Sequence, residues 1–141
     1  NKAALAKLIS RNVEIKSAVV KVDEFEKGDR RLLNFGHTLG HAIENMYELS
    51  HGQAISIGMT AACQISERLT GFKETAKVVN VLEQYGLPAY AEYDKKEAMN
   101  VLKMDKKREK GTMNYVLLEK IGKGVVKPIP VTELEKLISD L

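Results

Sequence analysis

The run from Gln53 to Leu69 constrains this chain most. Within it Ala54, Ile55, Ile57, Met59, Ala61, Ala62 and Ile65 point to almost every side of a helix. A helix that is apolar nearly all round must be buried on most sides, so other segments have to wrap it. Periodicity supplies them. Leu5, Leu8, Ile9, Asn12, Ile15, Val19 and Val22 recur at three- and four-residue steps, with Asn12 the one polar member. They predict an amphipathic helix from about Lys2 to Lys21. The charged, glycine-containing stretch Asp23 to Asp29 predicts a loop. A second helix is expected from about Arg30 to Glu48, with Leu32, Phe35, Leu39, Ile43 and Met46 as its apolar stripe. Ser50-His51-Gly52 interrupts that pattern, and Gly71 is the expected stop of the buried helix. Glu74 to Tyr85, closed by Gly86 and Pro88, and Lys95 to Met104 predict two more helices. Asn114 to Glu119 and Gly124 to Lys127 are β-prone around a glycine-rich turn and predict a hairpin. Thr132 to Leu141 predicts a terminal helix, with Thr132 as its cap and Glu135 placed for a capping box. The expected fold class is mainly α, a multi-helix domain with one small β-hairpin.

At 141 residues the chain is the size of one domain. Its hydrophobic residues (44%) and charged residues (29%) are in the proportions of an ordinary folded chain, not a disordered one. No apolar stretch approaches a bilayer span and no apolar leader opens the chain, so a cytoplasmic, non-membrane protein is expected. The net charge of +3 comes from interspersed signs, which argues against a dedicated nucleic-acid binder. A single cysteine, Cys63, excludes an internal disulfide and any multi-cysteine metal site, and its apolar helix makes it a core residue rather than a nucleophile. The chain opens on Asn1 rather than Met, which reads as a fragment or a processed piece.

Chemistry concentrates between Arg30 and His51, a stretch that holds all three histidines. On a helical wheel Arg30, Asn34, His37, His41 and Glu44 share an arc of roughly 80°, opposite the apolar stripe. A merely solvated face would more often carry Lys and Glu. Gly36 and Gly40 each cost about 1 kcal/mol of helix stability relative to alanine. With Gly58 they point to a close approach on the backbone, by another helix or by a ligand. His37 and His41 have the i, i+4 spacing that lets two imidazoles reach one ion, and His51 heads the next helix and could join them. Spacing leaves open which two or three bind. It also leaves a structural role open, since histidine pairs at this spacing are more often structural. No glutamate lies between them as in the zinc-protease pattern.

The block Leu32-Leu33-Asn34-Phe35-Gly36-His37-Thr38-Leu39-Gly40-His41-Ala42-Ile43-Glu44, followed by His51 to Met59, resembles the C-terminal domain of the 3-dehydroquinate synthase family, within the sugar-phosphate cyclases. The likeness extends upstream through Ile15-Lys16-Ser17-Ala18-Val19-Val20 and Asp23-Glu24. Downstream it takes in Asp105-Lys106-Lys107, Gly111 and Val116 to Gly122, and so covers essentially the whole chain. The resemblance implies conversion of 3-deoxy-D-arabino-heptulosonate 7-phosphate to 3-dehydroquinate and phosphate, a step of the shikimate pathway to aromatic amino acids. It implies NAD⁺ for a transient oxidation and a divalent metal, Zn²⁺ or Co²⁺. By position, it makes His37 and His51 metal ligands and His41 a substrate contact near the phosphate. Asn34 and Lys106 (or its neighbour Lys107) fall on the phosphate side. Lys16 and Arg30 form a carboxylate clamp, a task suited to a guanidinium fork, and Glu44 becomes a partner of a histidine. Without the resemblance, Lys16 and the Asp105 to Lys110 run would read as ordinary solvated surface.

Two departures from the family pattern stand out. Gln53 replaces the family's usual Glu beside His51-Gly52, which either alters metal affinity or marks a purely structural position. The chain also has no strand, glycine-rich turn and helix for a dinucleotide. The resemblance places that NAD⁺ site, and a third, glutamate ligand, in an N-terminal domain. Residues 1–141 would then be the metal- and substrate-binding half of a homodimeric enzyme, silent alone, with its cleft where the second helix faces the nucleotide domain. The alternatives are another NAD- and metal-dependent sugar-phosphate cyclase, a polyol dehydrogenase, or a non-catalytic helical metal-binding module.

Overall fold

The computed structural model describes residues 1–25, 27–104 and 111–141, which form two compact units, Asn1–Leu33 and Asn34–Leu141. The first is led by α1 (Lys2–Val22). The Asn1 side chain caps it by accepting from the Ala3 N–H at 2.9 Å. None of its side chains is buried; of the apolar stripe that predicts the helix, Leu5, Leu8, Ile9, Ile15 and Val22 are each more than two-fifths exposed and Val19 is half-buried. Asp23 ends it. Its carboxylate accepts from the N–H groups of Lys27 (2.9 Å), Gly28 (2.7 Å) and Arg30 (3.1 Å), folding the expected loop around one side chain. Those backbone donors, Lys27 first, hold the Asp23 carboxyl below the ordinary aspartate range.

The expected single helix from Arg30 to Glu48 is corrected. Asp29–Asn34 is a 3-10 helix, and α2 begins afresh at His37 and runs to Met46. Gly36 makes the break at φ +78°, a left-handed conformation that a glycine adopts without steric cost. Arg30 and Asn34 therefore do not share a continuous α-helical arc with His37, His41 and Glu44. The stripe survives on the α2 side: Leu39 and Ile43 are fully buried, and Phe35 and Met46 pack partly against the core.

The buried central helix is α3 (His51–Leu69), with eleven residues between Ala54 and Ser66 buried. It starts two residues earlier than its apolar pattern. Ser50 accepts from the Gln53 N–H (3.3 Å) while the Gln53 side chain accepts from the Ser50 N–H (3.1 Å), a reciprocal cap that draws His51 and Gly52 into the first turn. Ser66, a polar side chain inside the core, is satisfied, whereas the Tyr115 hydroxyl and Thr75 Oγ1 are buried without a hydrogen-bond partner among the described residues. Ser66 Oγ donates to the Ala62 carbonyl (2.6 Å) and accepts from the Leu118 N–H (3.0 Å), tying α3 to the hairpin. Burial pushes the Cys63 thiol up to about 12, as befits an inert core residue.

Around α3 lie α4 (Thr75–Gln84), α5 (Lys95–Met104), the antiparallel strands β1 (Thr112–Lys120) and β2 (Lys123–Pro130), and α6 (Val131–Ser139). This is the expected mainly helical fold with one hairpin, the strands each a few residues longer than their β-prone centres. Tyr115, Leu117, Ile129, Leu134 and Ile138 join Leu39, Ile43, Ile65 and Met99 in one core. The Thr132 cap is corrected. Pro130 takes the cap position of α6 without a side-chain bond, and the Val131 N–H donates instead to the Gly111 carbonyl (3.0 Å). Glu135 does not close a capping box but accepts from Lys103 Nζ at 2.9 Å. Among the described residues no helix is long and apolar enough to cross a membrane.

Candidate metal centre

The site begins with three glycines. A Cβ on Gly36 would stand 2.6 Å from Met59 Cγ, and one on Gly40 would stand 2.9 Å from Ile55 Cδ1. A Cβ on Gly58 would collide with the Gly36 carbonyl oxygen and come 2.8 Å from Gly40 N. Helix approach, the first of the two explanations open from sequence, accounts for all three. The backbones of α2 and α3 touch, and the short link through Ser50 folds the start of α3 back along α2.

That contact gathers the histidines. His37 is the first residue of α2, His41 lies one turn further, and His51 is the first residue of α3. Ring centroids are 5.3 Å apart for His37–His41, 5.6 Å for His37–His51 and 5.9 Å for His41–His51. One ligand nitrogen from each ring lies within 4.8 Å of the other two.

Two of the rings are oriented by hydrogen bonds. His37 Nδ1 is 3.1 Å from the Phe35 carbonyl oxygen, and His51 Nδ1 is 3.0 Å from Glu44 Oε2. Carbonyl and carboxylate oxygens only accept, so each Nδ1 carries the proton and the lone pair of a neutral ring sits on Nε2. A metal-binding histidine is commonly held in this way by a carbonyl or a carboxylate. The donor set fits a zinc-like divalent ion.

The other sequence-derived residues fall as follows. Asn34 ends the 3-10 helix, half-buried, two residues before the α2 cap. Gly36 gives α2 no side-chain cap, a setting in which first-turn N–H groups suit an anion such as phosphate. Lys16 is exposed on α1 in the other unit. There the Arg30 guanidinium donates to the Glu24 carbonyl at 2.6 Å. Lys106 and Lys107 lie outside the described residues. Sequence reasoning missed two members of the site. The Phe35 carbonyl, which orients His37, left no mark in the residue pattern, since any residue has a carbonyl. The Ser50–Gln53 cap, which places His51, was readable as Ser-x-x-Gln before an apolar run.

Comparison with solved structures identifies the fold. A 2-deoxy-scyllo-inosose synthase complexed with carbaglucose-6-phosphate, NAD⁺ and Co²⁺ superposes with a TM-score of 0.79, over 98% of this chain and 41% of that one, at 24% identity. A 2-epi-5-epi-valiolone synthase from Streptomyces hygroscopicus subsp. jinggangensis 5008, with NAD⁺ and Zn²⁺ bound, gives a TM-score of 0.81 over 98% and 40% of the two chains, at 22% identity. The fold is thus one found in sugar-phosphate cyclases. Residues 1–108 match the family model for the 3-dehydroquinate synthase C-terminal domain, and the chain belongs to that family. It is 45% identical to the 3-dehydroquinate synthase of Methylacidiphilum infernorum (isolate V4), over 95% of this chain and 38% of that protein. It is 35% identical to that of Pyrococcus abyssi (strain GE5 / Orsay), over 95% and 41%. The chain spans about two-fifths of the length of these relatives.

Proposed function

We propose that this chain is the metal- and substrate-binding part of a 3-dehydroquinate synthase, with the NAD⁺ site in a separate N-terminal domain. The reaction would take 3-deoxy-D-arabino-heptulosonate 7-phosphate to 3-dehydroquinate and phosphate. The observation that carries the reading is the convergence of all three histidines, two of them oriented through Nδ1, in a chain that belongs to this family. His37 and His51 would hold the divalent ion. When bound, that ion supplies Lewis acidity toward charge developing on a substrate oxygen.

The rest of the work falls to the chain's own groups. The uncapped start of α2, with Asn34 just before it and His41 one turn on, would take the phosphate. Lys106 would add a cation there, and Lys16 and Arg30 would clamp the carboxylate, Arg30 through its planar fork. Glu44 and the Phe35 carbonyl keep the two ligand rings facing one point. Gln53 performs the capping that a glutamate would perform, which supports a structural role for that position.

The test is phosphate release from 3-deoxy-D-arabino-heptulosonate 7-phosphate by the longer polypeptide carrying this chain, with NAD⁺ and Zn²⁺. Turnover of that substrate is expected. A second reading, another sugar-phosphate cyclase, is favoured by the fold shared with the inosose and valiolone synthases. Exclusive turnover of a different sugar phosphate would establish it and overturn the first.

A further inference from the structure

We infer that Asp23 is a positioning residue of the carboxylate clamp, holding Arg30 in a fixed place relative to Lys16. The inference rests on the reading above that Lys16 and Arg30 take the substrate carboxylate. It concerns the side chain that assembles the clamp, not the clamp itself.

Lys16 lies on α1, and Arg30 lies beyond its end in the 3-10 helix. Two cations on separate elements grip one carboxylate well only if their spacing is preset, because ordering them on binding costs affinity. Asp23 is placed to preset it. Its N–H donates to the Val19 carbonyl at 3.1 Å, so its backbone continues α1 about two turns beyond Lys16. Its side chain then reaches forward. Oδ1 accepts from the Lys27 N–H (2.9 Å), and Oδ2 accepts from those of Gly28 (2.7 Å) and Arg30 (3.1 Å). The last of these bonds fixes the main chain of Arg30 itself. The Gly28 carbonyl accepts from the Arg31 N–H at 3.0 Å, so the 3-10 helix starts from the same turn. Attraction between the Asp23 carboxylate and the Arg30 guanidinium acts in the same direction. The guanidinium donates through Nη1 to the carbonyl of Glu24, the residue next to Asp23. That bond uses a single N–H and leaves others on the fork for a carboxylate. Ending a helix needs no bond to a residue seven positions further on, so the contact with Arg30 calls for a role beyond termination.

The test uses the longer polypeptide that carries this chain, with NAD⁺ and Zn²⁺, and follows phosphate release from 3-deoxy-D-arabino-heptulosonate 7-phosphate. Arg30→Ala, Asp23→Ala and the double variant are compared, with Asp23→Asn as the conservative change. Circular dichroism and bound zinc check that each variant is folded. Arg30→Ala should raise KM by about 10–100-fold, the worth of hydrogen bonds to a charged group. Asp23→Ala should raise KM by roughly tenfold with kcat little changed, the signature of a displaced binding group. Inhibition by inorganic phosphate, which has no carboxylate, should stay as in the parent. In the Arg30→Ala background Asp23→Ala should add little, because it acts through Arg30. Asp23→Asn keeps one acceptor oxygen and should fall between parent and Asp23→Ala; it carries the same comparison if the alanine variant fails to fold. An unchanged KM in Asp23→Ala, a full multiplication of the two single effects, or an equal weakening of phosphate inhibition would overturn the positioning role and leave the clamp standing. An unchanged KM in Arg30→Ala would overturn the clamp, and the inference with it.

Discussion

Glu44 Oε2 lies 3.0 Å from His51 Nδ1, so a carboxylate near the end of α2 orients the imidazole that opens α3. The contact spans the short link between the helices and joins the two halves of the proposed centre. Its consequence is tautomeric: with the proton fixed on Nδ1, the lone pair of His51 sits on Nε2. Glu44→Ala removes that constraint and leaves both helices intact. Zinc affinity is expected to fall by about 10–100-fold. Calorimetric titration of the variant checks it, and an unchanged dissociation constant would count against the role of Glu44.

The contact between α2 and α3 predicts a steric failure. Gly58→Ala places a methyl group against the Gly36 carbonyl oxygen and 2.8 Å from Gly40 N, atoms that move only if the helices separate. Overpacking of this kind costs about 1–3 kcal/mol. The expected result is a lower urea midpoint together with weaker zinc binding, since the same separation spreads the histidines. Gly52→Ala is the control, because a Cβ there meets nothing within 4 Å.

The cap of α3 predicts a separation of roles at Gln53. Ser50→Ala removes the acceptor for the Gln53 N–H and is expected to cost about 1 kcal/mol in chemical denaturation. Gln53→Glu keeps an oxygen that can accept from the Ser50 N–H, so stability should stay within about 0.5 kcal/mol of the parent. A large loss in Gln53→Glu would show that the neutral amide itself matters.

Asp23 predicts a pH dependence whose sign follows from its backbone donors. Its carboxyl is held below the ordinary aspartate value, so the folded state binds this proton more weakly than the unfolded state. The contribution is therefore fully present above the ordinary value of about 3.9, and it is lost as pH falls through the depressed one. A carboxyl ¹³C titration should place Asp23 below free aspartate, and Asp23→Asn should abolish that component of the acid transition. A midpoint at or above the ordinary value would contradict the loop geometry.

Much of this fold was legible because local pattern and tertiary structure agree. The α5 pattern, Lys95 to Met104, coincides with the observed helix. The nearly all-apolar face of Ala54 to Ile65 correctly implied a helix buried on most sides. Failures came where a local rule met a longer-range contact. Hydrophobic periodicity ran smoothly from Leu32 to Met46. It could not report that the approach of Met59 and Ile55 leaves room only for a bare glycine at position 36. Thr132 and Glu135 had capping-box spacing, but Pro130 and the Gly111 carbonyl provide the start of α6. At the site, the i, i+4 histidines and His51 could be nominated from spacing. Their convergence depended on glycine contacts between two helices, which no periodicity encodes.

The most direct test of the central claim is a zinc titration of the chain beside His51→Ala, both shown to be folded. His51 is exposed and its ring contacts Glu44, so the substitution removes a proposed ligand without opening the core. The account predicts one zinc ion per parent chain and loss of that binding in the variant. Equal stoichiometry and affinity in both proteins would mean that His51 does not hold the metal, and the proposed centre would be wrong.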